Sequence, residues 1–381
     1  MRFYVVFLIL LIGICLASCR EHSAVSTINL SSESLSDVTQ MTSASDPQII
    51  RDQIVTTRTF TLTLVWSQPL IGVDTMALLP EAPPKVLVPC EGNVVAILNL
   101  HGKLLQKILP KELENSIIMN IQAVNFSGKQ RIGIVTLDGK FYLFDESFEP
   151  IAAYNVESEE HQKGTISDFQ FMQHREEELF LLGIQQGQDD AAMNSVIHAV
   201  DLQGLKRWEC PFEGMLNQIS SAIINDQIRA LVSCTVSQDQ DLILVFSSDG
   251  AASDPVSIVL GRRVLWFQVL DSTIYALLSN TDGDVRFVGF DLTGKGQWSR
   301  LLPTGEYEVE PMYMPKEKKW FVPSPSGEIF VFDLIGNMID TFSLDVVPTG
   351  LLCVNADGET LLIVTDGETV LAWQVHPRIH F

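Results

Sequence analysis

The sequence predicts an all-β fold, a β-propeller of seven four-stranded blades closed by an N-terminal strand. Three observations carry this. From residue 56 onward short β-rich runs alternate with turn clusters, with no amphipathic helical period. A strand–turn–strand unit recurs at intervals of about 40 to 50 residues. The two ends of the folded part are each incomplete, and each supplies what the other lacks.

In chain order, the first element is a leader. Met1-Arg2 is a short positive stretch, and Phe3 to Ile14 is almost wholly apolar, too short to span a bilayer comfortably. Leu16-Ala17-Ser18-Cys19 follows and resembles the lipobox of bacterial lipoproteins. The resemblance implies a signal peptide over 1–18, cleavage before Cys19, and acylation of the Cys19 thiol by diacylglycerol, with palmitate among the acyl chains. Arg20, in place of an Asp, points to the outer membrane over the inner one. Residues 19–55 are then the lipidated Cys and a flexible tether, dominated by Ser23, Ser26, Thr27, Ser31, Ser32, Ser34, Ser36, Thr39, Thr42, Ser43 and Ser45.

The propeller is expected over 56–381. Its clearest unit is Gly289-Phe290-Asp291-Leu292-Thr293-Gly294-Lys295-Gly296-Gln297-Trp298: a strand ending in Asp, a tight turn with Gly, and a second strand carrying Trp. Aligned on it, the third strands end at Asn99, Asp145, Asp201, Ser247, Asp291 and Asp333, with a last, degenerate copy ending at Gln374. The gaps are 46, 56, 46, 44, 42 and 41 residues. An eight-bladed ring is the alternative if the gap of 56 hides extra strands. Asp138-Gly139, Asp282-Gly283 and Asp366-Gly367 mark the hairpins before these strands, since Gly supplies positive φ at low cost. The last unit stops after its third strand, while Phe60 to Ser67 is a strand without a partner of its own. Residues near 58–67 are therefore expected to complete the last blade.

Asp291-Leu292-Thr293-Gly294 before Trp298, repeated as Asp201-Leu202-Gln203-Gly204 before Trp208, resembles the tryptophan-docking motif of quinoprotein-like (PQQ-repeat-like) propellers. Among these, the BamB-type lipoproteins of the outer-membrane β-barrel assembly machinery are similar in length, lipobox, tether and a leading strand with Trp66-Ser67. The chain departs from them in lacking the docking Trp in most copies and in having seven units where they have eight. The unit around Phe126-Ser127-Gly128 and Asp138-Gly139-Lys140 also looks like an FG-GAP repeat. The resemblance implies that Trp66, Trp208 and Trp298 pack between blades, with Asp201, Gly204, Asp291, Gly294, Asp333 and Gly336 forming turns. Some of its members hold pyrroloquinoline quinone through an adjacent cysteine pair, with calcium; here no Cys-Cys pair occurs.

Other chemistry finds little support. Cys90, Cys210, Cys234 and Cys353 are widely separated; export makes disulfides feasible, and three connectivities are open. Asn280 to Asp284 reads as a hairpin turn before a calcium loop, and Ser324-Pro325-Ser326-Gly327 as a turn before a hydrolase elbow. His376 and His380 lack nearby partner ligands, and His198 reads as a packed or hydrogen-bonded strand histidine. Glu306, Glu308 and Glu310 read as a solvated acidic edge first and a surface for a basic partner second. No catalytic, cofactor-binding or metal-ligating residue is assigned, and no cofactor is expected. A net charge of −22, from 47 acidic and 25 basic residues, argues against nucleic acid. The sequence thus points to a membrane-anchored, exported propeller acting as a protein-interaction or envelope-assembly scaffold. It would be held to the lipid bilayer through Cys19 and would face a protein partner in the cell envelope. The alternative is a quinoprotein-like or other propeller enzyme with a dispersed site.

Overall fold

The computed structural model describes residues 47, 53–73, 75–156, 164–174, 177–186, 194–224, 227–237, 240–247, 256–257, 262–356 and 358–378. The expected signal peptide, Cys19 and most of the tether lie outside them.

Strand β1 (Ile54–Thr56) and strand β2 (Phe60–Val73) open the chain, followed by β3 (Ala77–Leu79), β4 (Lys85–Cys90), β5 (Val94–Asn99) and β6 (Leu104–Ile108). A single 3-10 turn, Lys111–Leu113, leads to β7 (Ile118–Phe126), β8 (Lys129–Thr136), β9 (Lys140–Phe144) and β10 (Pro150–Asn155). Next come β11 (Gly164–His174), β12 (Glu177–Gln186), β13 (Asn194–Asp201) and β14 (Lys206–Glu213), then β15 (Met215–Ile224), β16 (Gln227–Ser237), β17 (Gln240–Ser247) and β18 (Val256–Ser257). The remainder is β19 (Arg262–Leu270), β20 (Thr273–Asn280), β21 (Val285–Asp291), β22 (Gly296–Leu302), β23 (Met312–Met314), β24 (Lys319–Pro323), β25 (Glu328–Asp333), β26 (Met338–Ser343), β27 (Gly350–Ala356), β28 (Glu359–Thr365) and β29 (Gly367–Pro377).

These strands build an all-β propeller. Consecutive strands pair antiparallel into the four-stranded sheets β3–β6, β7–β10, β11–β14 and β23–β26. Strands β15 to β22 form one eight-stranded sheet, whose halves meet through a single parallel bridge, Gln240 to Arg262. The closing sheet runs β1-β2-β29-β28-β27, so the N-terminal strand completes a sheet whose other strands are C-terminal. Two details exceed what the sequence pattern predicts. Strand β2 continues to Val73 because Leu70 finds burial there, and β1 adds a fifth strand that starts at Ile54, before the boundary expected at 56.

Burial explains the sequence pattern. Central β13 is buried at seven consecutive positions, because both of its faces meet other sheets. Outer β14 alternates half-buried and exposed residues, as a strand with one wet face does. The core gathers between neighbouring sheets; Phe126 and Phe141 of one, for example, pack on Phe169, Phe171 and Phe180 of the next. Each such fully buried ring contributes about 2–3 kcal/mol. Successive first strands touch at β3–β7, β7–β11, β11–β15, β15–β19 and β23–β27, and β27 touches β3. Between the β19–β22 and β23–β26 units, Trp266 of β19 meets Trp320 of β24 edge-on at 5.5 Å. These first strands line the centre.

Candidate functional site

The three docking tryptophans occupy one structural position. Trp66, Trp208 and Trp298 each follow a bulge in an outer strand and lie opposite a small residue: Ala372, Ala199 and Gly289. Each indole is thereby free to lean towards the next sheet. Trp66 donates its ring N–H to Leu100 O at 2.8 Å and covers Gly102 in that sheet's turn. Trp298 covers Gly336 in the same way, and Arg300 Nε donates to Gly336 O at 2.6 Å. The turn that would face Trp208 falls at 248–250, outside the described residues.

The aspartates build those turns. Asp201 Oδ1 accepts the amides of Gln203 and Leu205 at 2.8 and 2.9 Å. Asp291 Oδ1 does the same for Thr293 and Lys295, and Asp333 Oδ1 for Ile335 and Asn337. Gly204, Gly294 and Gly336 close the turns at φ of 77°, 80° and 77°, a region that disfavours any residue with a Cβ. These nine residues lie in the outer strands and tight turns of the sheets.

A tenth residue joins them. Asp340 stands at the tryptophan position of β26, opposite Val331 beyond a bulge. The neighbouring sheet has no turn there, because β29 and β2 come from opposite ends of the folded part. Asp340 instead accepts Thr57 Oγ1 at 2.5 Å, Thr59 N at 2.6 Å and Thr59 Oγ1 at 2.6 Å. Arg378 completes the seam by donating to Thr59 O and Thr57 O, both at 2.8 Å.

The centre of the ring carries a strongly perturbed carboxyl, Asp168. Strands β7, β11, β15 and β19 each bulge at one equivalent place, and directly after the bulge stand Asn120, Asp168, Gln218 and Trp266. These side chains stitch together strands that share no backbone ladder. Asp168 Oδ2 accepts Ile219 N at 2.7 Å, Gln218 Oε1 accepts Phe267 N at 2.8 Å, and Gln122 Nε2 donates to Phe169 O at 2.8 Å. Asp168 Oδ1 accepts Phe169 N at 2.8 Å and Asn120 Nδ2 at 3.4 Å.

Burial pushes the Asp168 carboxyl up to about 7; the amides oppose this, and the Glu310 charge reinforces it. Glu310 is also raised, by desolvation first, against a hydrogen bond from Trp266. By area Glu310 is exposed, yet enough protein surrounds it to raise its pKa. Glu310 therefore departs from the uniform solvated edge read for Glu306, Glu308 and Glu310. Sequence reasoning misses this girdle. A signal exists in the aligned triplets Asn120-Ile121-Gln122, Asp168-Phe169-Gln170, Gln218-Ile219-Ser220 and Trp266-Phe267-Gln268, where polar groups flank one apolar residue. At the other end of the same strands, Phe171, Met172, Ser221, Ile223, Leu270 and Asp271 line a cavity of about 600 Å³.

His198 Nδ1 lies 2.8 Å from Tyr154 Oη, with Glu209 3.5 Å from its Nε2. Asn280 Oδ1 accepts the amides of Asp282 and Asp284, and Ser324 Oγ accepts Glu328 N, so both segments are turns. Cys90, Cys210, Cys234 and Cys353 are free thiols, Cys234 buried and the others half-buried. His376 is exposed, and His380 lies outside the described residues. Among the described residues no group of three or more His, Cys, Asp or Glu is placed to hold a metal. No described helix is long and apolar enough to cross a membrane.

No protein-family model matches the sequence, and no curated protein matches it. Solved structures do match in fold. BamB from Moraxella catarrhalis aligns at 15% identity over 82% of this chain and 99% of that one, with a TM-score of 0.50. BBS1N, solved in complex with ARL6DN, aligns at 11% identity over 82% and 96%, with a TM-score of 0.61. The likeness is one of fold: the chain is distantly similar to both structures.

Proposed function

We propose that this chain is an exported, lipid-anchored β-propeller that acts as a protein-interaction scaffold in envelope assembly. The observation that supports it is a ring distantly like BamB set behind the lipobox-like Leu16-Ala17-Ser18-Cys19. In this reading Cys19 carries the lipid and Arg20 directs the chain to the outer membrane. The Ser/Thr-rich tether through residue 55 lets the ring reach away from the bilayer. In the same reading the eight-stranded sheet counts as two units sharing one bridge, and the ring has seven blades. Connections on one face of the ring meet the partner, as loops on a rigid scaffold do.

Fractionation and crosslinking test this together. The wild-type chain should sediment with outer membranes and crosslink there to an envelope protein, and Cys19→Ala should move it to the soluble fraction. A Cys19→Ala chain that stays in the membrane overturns the anchor. A wild-type chain that crosslinks to no protein overturns the scaffold.

A further inference from the structure

Strand direction sorts every connection onto one of two faces. Strands within a sheet alternate in direction, so links from second to third strands share a face with links from one sheet's outer strand to the next sheet's first strand. On that face the described connections are 75–76, 91–93, 109–117, 137–139, 156, 214, 281–284, 303–311, 324–327, 344–349 and 366. They hold 11 acidic residues and one basic residue, Lys111. The described connections of the opposite face, with the seam residues 57–59 and 378, hold six of each sign. Among the described connections the acidic excess therefore lies on one face.

An apolar edge sits on the acidic face. Ile117, Met119 and Leu137 are 58%, 51% and 53% exposed. Leu137 donates its amide to Ile117 O at 2.8 Å, extending the ladder past the Ile118–Thr136 pair. Opposite residues of an antiparallel pair present their side chains on one side, close enough to act as a unit. Met119 is the bulge residue of β7, one position before Asn120 of the central girdle. Leu137 precedes Asp138-Gly139 in a hairpin turn, where a polar residue is usual. Asp138 beside it is ionised: burial opposes this, but hydrogen bonds from Lys140, Thr136 and Ser116 bring its carboxyl down to about 2. A rigid apolar patch within a field of one sign is how a binding surface selects a partner of opposite charge.

We propose that the Ile117–Leu137 edge, with Met119, is the docking surface for a protein partner whose contacting segment sets apolar side chains beside lysine or arginine. This rests on the scaffold reading and names its surface. The apolar pair supplies the anchor, and the acidic connections, Glu306 and Glu308 among them, steer the basic partner and reject acidic ones.

The test uses the full chain and a labelled synthetic peptide of alternating Leu and Lys, with a Leu and Glu counterpart, read by fluorescence anisotropy. The Leu/Lys peptide should bind and weaken steeply with salt, and the Leu/Glu peptide should not bind. Ile117→Asp with Leu137→Asp, and separately Glu306→Lys with Glu308→Lys, should each weaken it at least about tenfold. Glu146→Lys with Glu149→Lys, the same charge change on the opposite face, should leave it unchanged. Equal weakening by the opposite-face variant, unchanged binding by either acidic-face variant, or equal binding of the Leu/Glu peptide overturns the surface. Crosslinking in membranes separates the two readings. Loss of the envelope partner in the acidic-face variants supports both. A partner retained by those variants leaves the scaffold standing and removes this surface.

Discussion

Gly102 lies under the indole of Trp66, so close that a Cβ built on the glycine would overlap the ring. The two residues belong to different sheets, one at the N-terminal strand and the other in the first complete sheet after it. Gly336 lies under Trp298 in the same way. The contact explains two sequence features at once: the Trp after the bulge, and the Gly ending the turn of the next unit. In the left-handed region Gly102, at φ 78°, is favoured for its backbone as well as for its lack of bulk.

Gly92 separates these two causes. It has φ 77° but open space where a Cβ would go. Gly92→Ala should cost about 1 kcal/mol, the backbone strain alone. Gly102→Ala should cost at least about 1 kcal/mol more, because the indole must also move. Trp66→Ala, at a site only 2% exposed, should cost about 3–5 kcal/mol. Urea denaturation measures all three, and equal losses for the two glycine variants would show that the indole contact carries no energy.

At the seam, Asp340 replaces a docking tryptophan by a clasp of hydrogen bonds. Asp340→Ala removes the 2.6 Å bond of the Thr59 amide, leaving it only the 3.2 Å bond to Thr57 Oγ1, and should cost about 2 kcal/mol. Burial works against the ionised form, but the Thr57 and Thr59 hydroxyls and the Thr59 and Thr341 amides outweigh it and hold the carboxyl below its usual range. A lowered folded pKa means that the clasp is fully present above the unfolded value, near 4, and is lost as pH falls through the folded one. Wild type should therefore lose more stability than Asp340→Ala as the pH falls below about 4. Parallel loss in the two proteins would remove Asp340 from the seam's energetics.

Repeats that obey local rules are legible in the sequence. Turn aspartates, positive-φ glycines and alternating strands depend on neighbours along the chain, and they set the register of units from Asn99 to Asp333. The closing pair of β2 and β29 is legible too, because an unpaired strand at each end leaves one sensible solution. What stays hidden depends on distant backbone. Asp168 looks like an ordinary polar position in a strand, and only the approach of Ile219 N and Glu310 makes it unusual. Asp340 likewise reads as a solvent-facing acid until Thr57 and Thr59 arrive from nearly the whole length of the ring away.

Thiol reactivity should follow burial. Desolvation raises all four described cysteines, carrying Cys234 and Cys353 to about 12. The thiolate is the reactive form, so alkylation at pH 8 should be slow in the native ring and fast in urea. Cys234, fully buried beside Asp241, should be modified last. Peptide mapping after timed labelling reads the order, and early modification of Cys234 would mean that the β15–β17 sheet opens readily.

The central girdle sets a pH dependence of opposite sign to the seam. Asp168 has a folded value of about 7, above its ordinary 3.8. Its ionised form is therefore the disfavoured one in the fold. That penalty is absent below about pH 4 and fully felt above pH 7, so stability should rise as the solution is acidified from pH 8 to pH 5. Glu310, raised by desolvation, acts in the same direction. Asp340 titrates too low to interfere in this window. Asp168→Asn removes the titration and keeps one carbonyl acceptor for the amides of Ile219 or Phe169. Its melting temperature should be flatter across pH 5–8 than that of wild type, with Glu310→Gln removing part of the slope that remains. Thermal melting of the three proteins at pH 5, 6, 7 and 8 decides it. A wild-type profile that falls on acidification, or an Asp168→Asn profile parallel to it, would show that the carboxyl is ionised in the ring without penalty.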